Sequence, residues 1–431
     1  MNIAVIGTGY VGLVTSACFS KLGHTVVGAD NDPSKIEKLK KLQMPIYEPG
    51  LEELIKENVK HGRISFTSNV SEAINKSTII FICVGTPPLP DGGADLSAVE
   101  KVARLVAEEM TDYKLVIDKS TVPVHTGEWV KKTIETYNKH KVEFDVASNP
   151  EFLREGTAIH DFMNPDRIVI GADSEKAKSL LMELYKDIDA IKVVTDINTS
   201  ELIKHASNSF LAMKISFVNA LSRICEKANA DVTKIAEGMG YDKRIGRAFL
   251  NAGPGFGGFC FPKDVSAFIH IADKLGYDFH LLKSVEKTNE EQKKFIIKKV
   301  EEALWVLNGK VLAVLGLAFK PNTDDIRFSP AMDIVTELLK KGVKVNAYDP
   351  EAMENAKKVL TNIKYSSDPY ETMVDADALL ILTDWEDFKN LDLIKVKGLL
   401  KAPVIIDARN LYDPKKMKEV GITYRSVGRP G

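Results

Sequence analysis

The sequence predicts an α/β protein in which two parallel-sheet domains are joined by a helical middle. Three observations carry this. Over the first third, short β-rich runs alternate with helical patterns, as βαβ units do. From Thr199 to about Gly238 the pattern is purely helical, and after Gly309 the β-rich alternation returns. Both outer parts read as Rossmann-like domains, and 431 residues suffice for two or three domains in all. The expected division is 1–198, 199–308 and 309–431.

The elements follow in order. Asn2 to Ile6 reads as a strand, Val11 to Leu22 as a helix and Thr25 to Ala29 as a second strand. Thr78 to Val84, Leu115 to Asp118 and Phe144 to Ala147 add strands, and Arg167 to Ile170 extends the sheet. In the helical middle, Leu202, Ala206, Phe210, Met213, Phe217 and Ile224 form one stripe at helical spacing. Leu211, Ile215 and Val218 lie roughly opposite, so this long helix is apolar nearly all round and is expected to be buried between domains or subunits. Beyond Gly309 the strands are Val311 to Leu315, Val343 to Ala347, Ala378 to Leu382 and Val404 to Ile406. They form a weak internal repeat: Val26 to Asp30 before Asp32-Pro33 parallels Val345 to Asp349 before Pro350.

Composition narrows the function. Hydrophobic residues at 44% and charged residues at 27% exclude a disordered chain. Lys and Arg number 58 against 60 Asp and Glu, so no bulk charge draws the chain to nucleic acid or an anionic membrane. No apolar run reaches the ~18 residues of a membrane span, and the N-terminus lacks a basic stretch or cleavage site. Cys18, Cys83, Cys225 and Cys260 form no CxxC pair, so no disulfide framework is expected and a reducing cytoplasm is. The eight histidines show no zinc-ligand spacing, and no metal site is expected.

Gly7-Thr8-Gly9-Tyr10-Val11-Gly12 is GxGxxG between a strand and a helix. Gly7 permits the tight turn, Gly9 lets backbone approach a pyrophosphate, and Gly12 allows close helix–strand packing. The second strand ends on Asp30, where a carboxylate binds ribose hydroxyls and repels a 2′-phosphate, so the pattern predicts NAD. The C-terminal domain lacks that fingerprint but carries Lys320 and Arg327 after its first strand, cations fit for a nucleotide diphosphate or for a solvated loop.

Gly253 to Gly258 has glycine at four of six positions and leads into Phe259-Cys260-Phe261-Pro262-Lys263-Asp264. Glycine lets the backbone bend sharply and approach a ligand closely. Lys263 would favour the Cys260 thiolate, and a nucleophilic Cys in an NAD enzyme points to covalent capture of an aldehyde and its oxidation to a thioester. Cys18 and Cys83 lie in an apolar helix and strand and read as core thiols. Lys204 and Asn208 are neighbours on one helical face and could stabilise an oxyanion. Asn149 to Gly156 follows a strand and holds Glu151 and Glu155, either a base for water or plain helix-surface charge.

In combination these motifs, with Val84-Gly85-Thr86-Pro87, Ser120-Thr121-Val122-Pro123 and Phe319 to Arg327, resemble the UDP-glucose/GDP-mannose dehydrogenases in their UDP-glucose 6-dehydrogenase branch. The resemblance implies an NAD domain, a helical dimerisation region and a C-terminal UDP-binding domain, with UDP-glucose as substrate and a homodimer as the assembly. It implies Cys260 as nucleophile, Lys204 and Asn208 on the C6 oxygen, Asp264 in proton transfer, Glu151 in thioester hydrolysis and Thr121 ordering water. It puts Gly7, Gly9, Tyr10, Val11, Gly12, Asp30, Lys35, Thr86, Thr121, Glu155, Lys263 and Arg327 on NAD. The sugar nucleotide would meet Glu151, Phe152, Leu153, Arg154, Lys204, Asn208, Phe249, Leu250, Asn251, Ala252, Gly253, Gly257 and Lys320. Arg244 would reach the substrate of the neighbouring subunit.

Two positions depart from the family pattern: Phe259 stands where many relatives have Ser, and Phe328 where an acidic residue often follows the Arg. The alternatives are the same chemistry on another nucleotide sugar such as GDP-mannose, a single-step hydroxy-acid dehydrogenase, and a non-catalytic NAD sensor. The last two leave Cys260 and, for the dehydrogenase, the second nucleotide domain without a role.

Overall fold

A computed structural model describes residues 1–430. The chain divides into two compact units, Met1–Ser207 with Ser266–Tyr277, and Asn208–Val265 with Asp278 onward. The first holds an eight-stranded sheet: β1 (Asn2–Ile6), β2 (Thr25–Ala29), β3 (Ile64–Thr67), β4 (Ile79–Ile82), β5 (Lys114–Asp118), β6 (Phe144–Ser148), β7 (Arg167–Ala172) and β8 (Ile191–Thr195). Its order is β3-β2-β1-β4-β5-β6-β7-β8. Every residue of β4 and β5 is buried, as expected of central strands covered by helices on both faces.

The second unit holds β9 (Val311–Leu315), β10 (Lys344–Tyr348), β11 (Lys364–Tyr365), β12 (Ala378–Ile381), β13 (Val404–Asp407) and β14 (Thr423–Arg425). Its order, β11-β10-β9-β12-β13-β14, repeats that of the first six strands of the other sheet. The repeat extends to the turns. Gly7 N–H donates to the Ala29 carbonyl (2.7 Å) and Gly316 N–H to the Tyr348 carbonyl (2.9 Å). Asp30 accepts the Thr8 N–H (2.8 Å), and Asp349 those of Leu317 (2.7 Å) and Ala318 (3.0 Å).

One pairing departs from the parallel pattern, and the last two strands, β7 and β8, run opposite to the other six. β7 extends the sheet as expected, but it pairs with β6 antiparallel, Ala147 opposite Ala172. A parallel neighbour needs a crossover to the far end of the sheet. The connection after Ser148 makes none, so it stays at the carboxyl end of the strands, where open α/β sheets bind ligands.

The helix Ile197–Ala228 is a single element of 32 residues. Its apolar stripe is not covered within the chain: Phe210, Phe217 and Ile224 are 58%, 54% and 61% exposed. Its buried side mixes Asn208, Ser209, Ser216, Asn219 and Ser222 with Ala212, Val218 and Cys225. The row of Phe210, Phe217 and Ile224 runs along the outside, while Val218 and Cys225 join the core beside the hydrogen-bonding groups.

The nucleotide-loop glycines are dictated by contact. Gly7 has φ +101°, and a Cβ on Gly12 would lie 1.8 Å from the Gly7 carbonyl oxygen. Gly12→Ala is therefore expected to force the first helix, Tyr10–Lys21, off the sheet, at a cost of about 1–3 kcal/mol. Urea unfolding of the variant checks this, and wild-type stability would contradict it.

Candidate functional site

The carboxyl end of the first sheet is assembled from loops. A Cβ on Gly9 would meet nothing within 4 Å, so the N-terminus of the first helix opens onto free space. Its unpaired N–H groups face that space, as a pyrophosphate requires. Asp30 is buried beside it and accepts hydrogen bonds from the Thr8 N–H and hydroxyl (both 2.8 Å), Lys35 Nζ (3.0 Å) and the Asp32 N–H (3.1 Å). Burial works against its charge, but these donors outweigh it and hold the carboxyl below its ordinary value. The loop glycines, Asp30 and Lys35 thus fit a dinucleotide with free ribose hydroxyls. Thr86 and Thr121 also meet: the Thr86 hydroxyl donates to the Thr121 carbonyl (3.0 Å).

The connection after β6 carries Glu151 and Glu155 as loop residues rather than helix-surface charge. Glu151 is 7% exposed and Lys204 3%. Lys204 Nζ donates to the Glu151 carboxylate (3.0 Å) and carbonyl (2.5 Å), and lies 5.1 Å from the Phe152 ring centroid. The Leu153 N–H donates to the other Glu151 oxygen (2.6 Å). Arg154, by contrast, is exposed and paired with Asp161 (2.5 Å).

Sequence reasoning passed over Glu48. Its buried carboxylate accepts the Tyr10 hydroxyl and the N–H groups of Gly156 (2.6 Å) and Ala158 (2.7 Å). It ties the nucleotide loop to the loop of Glu151 and Glu155. The only sequence signal was the turn Pro49-Gly50 beside it.

Behind these loops lie further buried charges that the sequence reading also passed over. Burial pushes the Lys119 ammonium down to about 8, against the pull of Cys83 and Glu151. Its Nζ donates to Asn149 Oδ1 (2.9 Å). Burial raises Glu201 to about 8, although the N–H groups of Gly127 and His125 (both 2.8 Å) favour its charge. Asp118, at the end of β5, is raised to about 7 by burial, and neither oxygen has a hydrogen-bond partner among the described residues. Cys18 and Cys83 are buried, with thiols pushed up to about 12, and are core residues as expected.

The second unit contains the glycine loop and Cys260. The loop is held by buried amides from two helices, another feature absent from the sequence reading. Asn219 accepts the Gly253 N–H (2.8 Å), Gln292 donates to the Gly253 carbonyl (2.9 Å), and Asn289 accepts the Phe256 N–H (2.8 Å). The loop delivers Cys260 as the exposed first residue of the helix Cys260–Lys274. Negative charge on its sulfur is favoured by the helix N-terminus. Behind it Asp264 is 1% exposed, accepting from Asn208 Nδ2 (2.6 Å) and Lys263 Nζ (2.6 Å). Lys263 thus spends its charge on Asp264.

Phe249 has φ +65°, and its ring lies 6.0 Å from that of Phe261. Leu250 and Ala252 are buried, while Asn251 is exposed and accepts from Arg247 (2.6 Å). Gly257 allows close approach, since a Cβ there would be 2.3 Å from the Phe328 carbonyl. Lys320 lies 5.5 Å from the Phe319 ring, and Arg327 grips Asp325 (Nη2–Oδ2 2.7 Å). Arg244 is 89% exposed and paired with Asp242 (2.6 Å).

Residues 1–189 match the NAD binding domain of the UDP-glucose/GDP-mannose dehydrogenase family, residues 198–291 its central domain and residues 313–414 its UDP binding domain. The chain belongs to this family. It is 50% identical over 430 residues to the UDP-glucose 6-dehydrogenase TuaD of Bacillus subtilis (strain 168), covering 100% of this chain and 93% of that one. It is 46% identical over 437 residues to the UDP-glucose 6-dehydrogenase of Rhizobium meliloti (strain 1021), covering all of both. Among solved structures it is similar to a UDP-glucose dehydrogenase from the hyperthermophilic archaeon Pyrobaculum islandicum, with TM-score 0.93 and 43% identity over 99% of this chain and 97% of that one. The family's NAD binding domain agrees with the dinucleotide geometry at Gly9 and Asp30.

The raised Asp118 carboxyl has a consequence for stability. Between its ordinary value of 3.8 and about 7 the folded state keeps a proton that the unfolded chain releases. Stability therefore falls as pH rises through that window. Asp118→Asn removes the ionisation, and its advantage over wild type is expected to be about 4 kcal/mol at pH 8 and less than about 2 kcal/mol at pH 5. Thermal unfolding at the two pH values checks this; an advantage independent of pH would contradict it.

Proposed function

We propose that the chain oxidises the C6 hydroxymethyl group of UDP-glucose to a carboxylate in two steps through a covalent adduct on Cys260. The observation that carries this is Cys260 exposed at the start of its helix, with the buried Asp264, Lys263 and Asn208 behind it. Two relatives named as UDP-glucose 6-dehydrogenases, matched over nearly their whole lengths, support the substrate.

NAD, when bound, accepts one hydride in each of the two oxidations. The first removes a proton and a hydride from C6–OH and leaves an aldehyde. The Cys260 thiolate adds to the aldehyde carbon, and Lys204 and Asn208 stabilise the oxyanion of the thiohemiacetal. Loss of the second hydride turns the adduct into a thioester. Water, ordered by Thr121 and activated by Glu151, attacks the thioester and expels the thiolate. Asp264 positions Asn208 and takes part in proton transfer. The Lys204–Glu151 contact supports their sharing one stage of the reaction, since each holds the other in place. Lys320 and the 249–253 segment hold the nucleotide, and Lys35, Lys263 and Arg327 contact NAD.

The working unit is a homodimer. The exposed stripe of Phe210, Phe217 and Ile224 supports this, because an apolar row of that length on a helix is costly in water. The two-fold interface would carry the exposed Arg244 to its neighbour's substrate. The buried thiols of Cys18, Cys83 and Cys225, none in a disulfide, support a cytoplasmic setting. Among the described residues, no helix is long and apolar enough to cross a membrane.

Wild-type enzyme is expected to release two NADH per UDP-glucuronate. Cys260→Ala is expected to lose at least ~1000-fold in kcat, as removal of a nucleophile does. Cys260→Ser is expected to stall as an ester, visible as added mass on the intact protein, because an alkoxide leaves poorly. A Cys260→Ala enzyme making the acid at near wild-type rate would refute the mechanism. Sedimentation tests the assembly: the chain is expected at twice its monomer mass, and Phe217→Glu is expected to shift it toward monomer.

A further inference from the structure

In the second unit two cations lie against one aromatic ring. The Arg327 guanidinium carbon is 4.5 Å from the Phe259 ring centroid, and Lys263 Nζ is 5.7 Å from it. Both fall within the ~6 Å over which a ring's quadrupole attracts a cation. Each cation is also held by a carboxylate: Arg327 binds both Asp325 oxygens (Nε–Oδ1 2.8 Å, Nη2–Oδ2 2.7 Å), and Lys263 binds Asp264 (2.6 Å).

The placement of the ring is tightly set. A Cβ on Gly258 would stand 2.7 Å from the Phe319 ring, and one on Gly257 would stand 2.3 Å from the Phe328 carbonyl. The glycine loop therefore lies directly on the 319–328 segment, with Phe259 at their junction. The next residue is Cys260. A ring at that point lies against Arg327 of the 319–328 segment and Lys263 of the Cys260 helix, and its residue directly precedes the proposed nucleophile.

A long cationic side chain that must be ordered on binding weakens the complex it joins. A guanidinium gripped at its edge by Asp325 and lying against an aromatic ring is ordered before any ligand arrives. We propose that Phe259 is a positioning residue whose ring preorganises Arg327 and Lys263 for the anionic dinucleotide and links cofactor capture to the setting of Cys260. The inference rests on the reading above in which Arg327 and Lys263 contact NAD.

The test compares Phe259→Leu, which keeps apolar bulk without the ring, with Phe259→Tyr, which keeps the ring, and with Arg327→Ala. Steady-state kinetics with NAD and UDP-glucose are read alongside the rate at which iodoacetamide alkylates Cys260 at rising NAD. Loss of the ring is expected to raise KM for NAD about three- to tenfold, with a smaller change in kcat and in KM for UDP-glucose. The NAD concentration that half-alters the alkylation rate is expected to shift by the same factor. Phe259→Tyr is expected to restore both. A raised KM in Arg327→Ala beside an unchanged one in Phe259→Leu would overturn the role of the ring alone, as would a Tyr variant no better than Leu. An unchanged KM in Arg327→Ala would overturn the cofactor reading and this inference with it.

Discussion

A charge removed from water must find its partner inside the protein, and both units are arranged around that demand. Lys204 and Asp264 are almost completely buried. Lys204 meets Glu151 in the first unit, and Asp264 meets Lys263 and Asn208 in the second. Removing one member of such a pair leaves an uncompensated buried charge, whereas the intact pair adds little net stability. These pairs therefore hold loops in place more than they stabilise the fold. The 149–156 connection and the start of the Cys260 helix are both fixed in this way.

The backbone supplies the other half of the arrangement. Because β7 runs antiparallel to β6, the connection between them never leaves the carboxyl end of the sheet. Glu48 then clamps that connection to the nucleotide loop through Tyr10, Gly156 and Ala158. In the second unit, buried amides from Asn219, Asn289 and Gln292 do the same for the glycine loop. Each loop has backbone groups satisfied by buried side chains, from two helices in the second unit and from Glu48 in the first, as a preorganised site requires.

Much of this was legible in the sequence. The strand ends at Ile6, Ala29 and Leu315 fall where the β-rich runs stop. GxGxxG was readable because two of its glycines, Gly7 and Gly12, answer local steric demands, while Gly9 faces open space. The repeat between Asp30 and Asp349 proved to be a shared hydrogen-bonding device. The short strands β3, β8, β11 and β14 were missed: β11 has only two residues, and β8 is largely exposed. These two left no periodic pattern to find, whereas β3 alternates, with Ile64 and Phe66 buried about the exposed Ser65, and was overlooked.

Helical spacing showed that the row of Phe210, Phe217 and Ile224 lies on one face, but not whether the chain itself covers it. That depends on which groups reach the interior, and Asn208, Asn219 and Ser222 share it with Ala212, Val218 and Cys225. By itself the sequence determined the two Rossmann-like sheets and the glycine turn of the nucleotide loop, because periodicity and glycine sterics act between residues near in the chain. The partner of each buried charge, the direction of β7, the Glu48 clamp and the ring beneath Arg327 were decided by tertiary structure alone. Apart from the adjacent Lys263 and Asp264, they join residues far apart in sequence, and no local pattern records which distant group satisfies a buried charge or an orphaned N–H.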